Sequence, residues 1–212
     1  MRSHLLSTTS LLVLIACSLI ADVIAQTTVK LDSNSFGAIE ARHIGPAVTS
    51  GRIAAIDGVA SDPRILYVGS AGGGVWKSIN SGTTFKPVFD KYTQSIGAVT
   101  IDQAHPDTVW VGTGESWTRN STSIGTGVYK STDAGDTWKL MGLEDSERVA
   151  RIVVDPKNSE VVYVAATGHL WNSNEQRGVF KTTDGGKSWQ KVLFVDKTQA
   201  AQTSQSIRRK QV

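Results

Sequence analysis

Three segments of the chain are written on one pattern: Gly74-Val75-Trp76-Lys77-Ser78, Gly127-Val128-Tyr129-Lys130-Ser131 and Gly178-Val179-Phe180-Lys181-Thr182, spaced 53 and 51 residues apart. Internal repetition at that period points to an array of equivalent structural units before any local feature is weighed. Each segment runs at once into a turn and an aromatic residue. The turns read Ser78-Ile79-Asn80-Ser81-Gly82-Thr83-Thr84-Phe85, Ser131-Thr132-Asp133-Ala134-Gly135-Asp136-Thr137-Trp138 and Thr182-Thr183-Asp184-Gly185-Gly186-Lys187-Ser188-Trp189. Their common form is Ser/Thr-x-Asp-x-Gly-x-Thr/Ser-aromatic, with Asn80 standing for Asp in the first copy. Upstream of each lies an alternating apolar stretch (Ile65 to Gly69, Thr108 to Gly112, Val161 to Ala165), and before that a strand ending in an apolar residue and Asp (Ile56-Asp57, Ile101-Asp102, Val154-Asp155).

Each copy therefore predicts four short strands in about 50 residues, separated by turn signals and free of helical periodicity. One four-stranded sheet cannot bury both its faces alone, so the copies must stack face to face. The expected fold is all-β: a β-propeller of about three four-stranded blades in an incomplete ring. Phe85, Trp138 and Trp189 are expected to fill the wedges between neighbouring blades. In the turn, an Asp or Asn side-chain oxygen accepts backbone N–H groups a few residues on, glycine supplies a positive φ, and the hydroxyls tie the hairpin.

These residues resemble the Asp-box, or bacterial neuraminidase repeat, of sialidases, family 74 xyloglucan hydrolases, photosystem assembly factors and sortilin-type receptors. The resemblance rests on Asn80, Gly82 and Phe85, on Asp133, Gly135 and Trp138, and on Asp184, Gly186 and Trp189, and it assigns them a structural role. Val111-Gly112-Thr113-Gly114-Glu115, His169-Leu170-Trp171 and the run from Gly178 to Gly186 further resemble large secreted bacterial propellers of the sortilin-like, VPS10-type group. That likeness covers roughly residues 38 to 195.

A residue present in every copy most simply serves the blade, whereas one peculiar to a single copy is free to serve a ligand. Asp57, Asp102 and Asp155 recur, as do Asp133 and Asp184, so they read as strand-end and turn residues. The material that does not recur lies between the second and third strands. There Ser70-Ala71-Gly72-Gly73 closes the first copy tightly, while the second carries Glu115, Trp117 and Arg119 and the third carries His169, Trp171, Glu175 and Arg177. These seven residues form the candidate ligand rim, at the end of the blade opposite the recurrent turns. A Trp face stacks on a sugar or a peptide while Arg and Glu fix polar groups. The alternative is that both Trp rings cover the blade edge. Glycoside hydrolysis needs two carboxyl groups roughly 5 to 9.5 Å apart, and Glu115 and Glu175 are the only non-recurrent rim acids to try. No sialidase-like cluster of arginines can be assembled. His43, His105 and His169 are scattered without metal-ligand spacing, and Gly72-Gly73-Gly74 precedes a strand rather than a helix, so neither a metal nor a phosphate-binding cofactor is expected.

Residues 1–25 read as a cleaved secretory signal, with Arg2 and His4 before an apolar run from Leu11 to Ile20 and Ala25 at its end. Cys17, after Leu14-Ile15-Ala16, also fits a lipoprotein signal. With cleavage after Ala25, no cysteine remains for disulfides. The formal charge of +3 hides an asymmetry. Of 22 bases, Arg2 and the four from Lys197 onward lie outside residues 26–196, and of 19 acids only Asp22 does, which leaves 17 bases against 18 acids. A nearly neutral body removes the case for a nucleic-acid partner. The expected organisation is a signal (1–25), a lead-in (26–43), three blades (44–196) and a basic tail (197–212). Closed propellers have about 4 to 8 blades, so the chain reads as a truncated member of a longer family with raw blade faces prone to self-association. The expected function is a secreted scaffold binding peptide or glycan; the alternatives are a glycoside hydrolase of the sialidase or xyloglucanase type and an assembly factor like that of the photosystem family.

Overall fold

Alternating, β-branched stretches build every strand of the protein. The computed structural model describes residues 52–117, 122–194 and 196–197; the signal, Cys17, the lead-in, Arg119 and most of the basic tail lie outside them. The first sheet consists of β1 (Ile53–Gly58), β2 (Leu66–Ser70), β3 (Gly74–Ser78) and β4 (Lys86–Pro87). The second consists of β5 (Ile96–Ile101), β6 (Val109–Thr113), β7 (Val128–Ser131) and β8 (Lys139–Leu140), and the third of β9 (Val149–Asp155), β10 (Asn158–Ala166), β11 (Gly178–Thr182) and β12 (Gln190–Leu193). Each sheet is an antiparallel meander with its strands in chain order. The architecture is the expected one: all-β, with three four-stranded blades of an incomplete β-propeller.

Stacking of the sheets explains the alternation. β6, in the middle sheet, is buried along its whole length, because both its faces meet another sheet. At the first seam, Tyr67 and Val75 pack against Val99, Val109, Val111, Tyr129 and Trp138. At the second, Ala98, Trp110 and Val128 pack against Val149, Ile152, Val162, Val164 and Phe180. The sheets approach so closely that a Cβ on Gly69 would lie 2.7 Å from Ile96 Cγ2, and one on Gly112 would overlap Val149 Cγ1. Glycine at these two places is a packing requirement.

Polar bonds lock each seam. Trp138 donates its indole N–H to the Val88 carbonyl (2.8 Å) and Trp189 donates to that of Met141 (2.6 Å), each reaching back to the preceding repeat. Lys77 lies over the Tyr67 ring and Lys130 over that of Trp110 (5.5 and 4.8 Å to the centroids), so the cations sit against ring faces that burial has desolvated. The same burial pushes the Tyr67 phenol well above its ordinary range. Phe85 departs from the expectation set for its two counterparts. It is exposed, because among the described residues no sheet precedes the first one for its ring to pack on.

Candidate functional site

The two ends of each sheet differ in chemistry. At one end, the turn from the third strand to the fourth repeats a single hydrogen-bond pattern. Ser78, Ser131 and Thr182 hydroxyls donate to the Oδ1 atoms of Asn80, Asp133 and Asp184 (3.0, 2.7 and 2.7 Å) and accept the N–H groups of Gly82, Gly135 and Gly186 (2.9, 2.8 and 3.0 Å). The same Oδ1 atoms accept the N–H groups of Thr84, Thr137 and Ser188 (2.9, 2.8 and 3.0 Å). Bonds from the Thr137 hydroxyl and N–H hold the Asp133 carboxyl at about 2, and Ser188 and Thr182 hold that of Asp184 far below the usual carboxylate range. A carboxylate so occupied stays ionised at neutral pH and has no proton to deliver. The strand-end carboxylates accept backbone N–H groups: Asp57 that of Ile101 on the next sheet (2.9 Å), Asp102 that of Ala104 (3.0 Å) and Asp155 that of Lys157 (2.9 Å).

At the other end, the links from second to third strand differ from sheet to sheet. The second sheet's link is closed at its base by Thr113, whose hydroxyl donates to the Gly127 carbonyl (2.7 Å) and accepts the Thr126 N–H (2.8 Å). Glu115 is buried there and forms an ion pair with Arg52, which precedes β1. Its N–H donates to the Ser95 hydroxyl (3.0 Å). Two residues further on, Trp117 stands 74% exposed.

The third sheet's link is built around a buried guanidinium. Arg177 Nη2 donates to the His169 carbonyl (2.5 Å), with the Asn172 carbonyl at 3.5 Å, bracing the loop from inside. Neighbouring Arg148 donates to the Gly168 carbonyl (2.8 Å), and burial, then the charge of Arg177, lowers its affinity for its proton. His169 Nε2 lies 3.1 Å from Asp145 Oδ1 and 3.6 Å from Glu147 Oε1. Asn174 Nδ2 donates to Asp145 Oδ2 (2.8 Å). Trp171, at the crest of this braced loop, is 87% exposed. Glu175 pairs with Lys197 (2.5 Å), and that bond, more than its charge, holds the Glu175 carboxyl below its ordinary value.

The structure thus sorts the candidate rim. Trp117 and Trp171 project outward rather than covering the blade edge; Glu115 and Arg177 lie inside the loop framework; His169 is engaged with the connector that follows β8; Glu175 is on the surface. The two loops flank that connector, since Gly125 N–H donates to the Glu147 carbonyl (2.6 Å) on one side and Asp145 meets His169 and Asn174 on the other. Asp145, Glu147 and Arg148 lie between β8 and β9, outside the second-to-third-strand links and so outside the rim that the sequence marks out. The signal available was the charged run Glu144-Asp145-Ser146-Glu147-Arg148, which opens with a short 3-10 turn over Glu144–Ser146 and leads into β9. A second concave surface, a cleft of about 480 Å³, runs along β1, β5 and β9 and is lined by Asp57, Thr100, Gln103 and Arg151 among others. Among the described residues, no group of three or more His, Cys, Asp or Glu side chains could hold a metal ion, and no helix is long and apolar enough to cross a membrane.

Comparison with known proteins bears on this arrangement. The family model described as sortilin, neurotensin receptor 3 (Sortilin-Vps10), matches residues 73–211. A xyloglucanase of a Paenibacillus species is 27% identical over 149 residues, which make up 62% of this chain and 13% of that protein. Among solved structures, an ancestral GH74 enzyme matches with a TM-score of 0.52 at 22% identity, covering 69% of this chain and 20% of that one. YCF48 bound to a D1 peptide matches at 0.45 and 14%, covering 68% and 41%. The chain therefore spans a small part of these relatives, and at such identity the solved structures bear on fold alone.

Proposed function

Because the chain belongs to the Sortilin-Vps10 family, we propose that it is a β-propeller scaffold that binds a peptide or a glycan at the loop end, on Trp117 and Trp171. The observation that carries this reading is the exposure of both indoles on loops whose bases are fastened by buried polar groups. An exposed aromatic on a mobile loop is unremarkable; on a braced loop it offers a pre-organised stacking face at little entropic cost. Arg177, Arg148 and Asp145 hold the third loop in place, and His169 and Glu175 supply polar contacts beside Trp171. Arg119, on the second loop, belongs to the same proposed rim and lies outside the described residues.

In this reading, the recurrent turn residues, from Asn80, Gly82 and Phe85 to Asp184, Gly186 and Trp189, are the Asp-boxes of the blades and take no part in binding. The leader at residues 1–25 directs the chain out of the cytoplasm, with Cys17 as a lipid-attachment site if processing stops there. N-terminal sequencing of the exported protein distinguishes the two. The exposed blade faces also lead the chain to associate with itself.

The competing reading, glycoside hydrolysis, draws on the xyloglucanase relative. It asks Glu115 and Glu175 to act as a pair, yet Glu115 is engaged with Arg52 and the Glu175 carboxyl is lowered, opposite to what a general acid requires. A glycan array, a displayed random peptide library and a panel of chromogenic glycosides test the two readings together. Binding without turnover, lost on Trp117→Ala or Trp171→Ala, is the expected outcome. Turnover abolished by Glu115→Gln or Glu175→Gln would replace the scaffold with an enzyme.

A further inference from the structure

A second apolar side chain stands on the same link as Trp117. Ile124, between β6 and β7, is 61% exposed and lies outside the rim that the sequence marks out. Its backbone is fastened on both sides. The Ser123 carbonyl accepts the Ser95 hydroxyl (2.9 Å) and the Glu115 N–H (3.3 Å), which draws the Trp117 and Ile124 arms of the link together at their base. On the far side, the Gly125 N–H donates to the Glu147 carbonyl (2.6 Å), and a Cβ on Gly125 would overlap Thr113. The blade that carries this link packs against a sheet on each side, so the exposure of Trp117 and Ile124 does not depend on what lies beyond the outer blades.

Among the described residues, the charges that face solvent beside this link are acidic. Glu144 and Asp145 are exposed and Glu147 is half-buried, three acids within four residues of the connector that bonds to Gly125. The cations nearby are turned inward or already paired. Arg148 and Arg177 are buried and donate to the Gly168 and His169 carbonyls, while Arg52 and Lys197 pair with Glu115 and Glu175. Asp145 meets His169 and Asn174, and a carboxylate keeps lone pairs for a further donor.

Resting on the reading of the loop end as a recognition surface, we propose that its ligand is a basic peptide, which seats an apolar side chain on Trp117 and Ile124 and a Lys or Arg side chain against Glu144, Asp145 and Glu147. Carboxylates accept from sugar hydroxyls as well, so the choice of ligand turns on Ile124 and on the sign of the charge. A branched aliphatic side chain offers a sugar neither a stacking plane nor a hydrogen bond, whereas it packs against an apolar residue. Clustered acids draw in a cation over a longer range than a neutral hydroxyl, and an indole face beside them also favours an ammonium or guanidinium.

A displayed random peptide library and a glycan array, presented to the whole chain, test this, with retained peptides then titrated in solution. The expected result is retention of peptides rich in Lys or Arg beside apolar residues and poor in Asp and Glu. Their dissociation constants should rise at least tenfold for Glu144→Gln/Glu147→Gln, which keeps side-chain size and leaves the bonds of Asp145 in place, and at least threefold for Ile124→Ser, with thermal unfolding midpoints unchanged. Retention of glycans, or of peptides without a basic excess, that is lost on Trp117→Ala but indifferent to these variants overturns the basic-peptide inference and leaves the recognition surface standing. Retention indifferent to Trp117→Ala, or no retention of peptide or glycan, overturns both.

Discussion

The hairpin end and the loop end of the blades use their polar side chains differently. At the hairpin end, Asp133 and Asp184 are saturated by donors from within their own turns, and the aromatic that follows is turned into a seam. At the loop end the charged groups lie deeper: Glu115, Arg148 and Arg177 are buried bracing residues, while the aromatics, Trp117 and Trp171, are left outside. A turn that satisfies its own groups repeats in every blade because it needs nothing beyond itself. A loop braced from below differs between blades because what it holds up is not part of the blade.

Substitutions at the two ends should separate stability from binding. The largest expected loss is at Trp138, buried against the first blade: Trp138→Ala should cost about 3–5 kcal/mol in a urea melt by opening a cavity at the seam. Binding per folded molecule should be unchanged. Next comes Arg177→Ala, which strips the His169 and Asn172 carbonyls of their donor and should cost roughly 1–3 kcal/mol. Unlike the seam variant, it should also weaken binding, and Arg177→Lys should restore stability only in part, since a flexible ammonium replaces a planar, pre-organised guanidinium beneath the loop.

A smaller effect is expected from Asp133, and it depends on pH. Its folded-state value is depressed to about 2, so its contribution is fully present above the unfolded value near 4 and disappears as pH falls through 2. Stability measured between pH 4 and 2 should fall less steeply for Asp133→Asn than for the unaltered chain. The first blade already makes the corresponding bonds with the neutral Asn80 and contributes no such slope. The smallest change in stability, within about 0.5 kcal/mol, is expected for Trp171→Ala, whose ring is almost wholly in solvent.

The same division explains how much could be read before the fold was known. Strands, turns and seams are set by alternation within a few residues and by a pattern written three times, so the meander and the inward ring of Trp138 were legible. Phe85 parts from its counterparts because its burial depends on a neighbour and not on its own sequence. The loop end was legible only in outline. That Glu115 meets Arg52, far back along the chain, and that Arg177 points inward beneath His169 are consequences of tertiary closure, which no local spacing encodes. Nothing in the spacing of the charged run from Glu144 to Arg148 sets it apart from a solvated connector, and only its place between the two loops gives Asp145 and Glu147 their partners.

The most direct test is a side-by-side titration of the unaltered chain and the Trp117→Ala/Trp171→Ala double variant with a glycan or displayed peptide retained by the unaltered chain, with thermal unfolding followed on the same samples. An unchanged unfolding midpoint with binding reduced at least tenfold is the predicted result. Binding that survives the loss of both rings in a fully folded protein would contradict the claim that the loop end is the recognition surface.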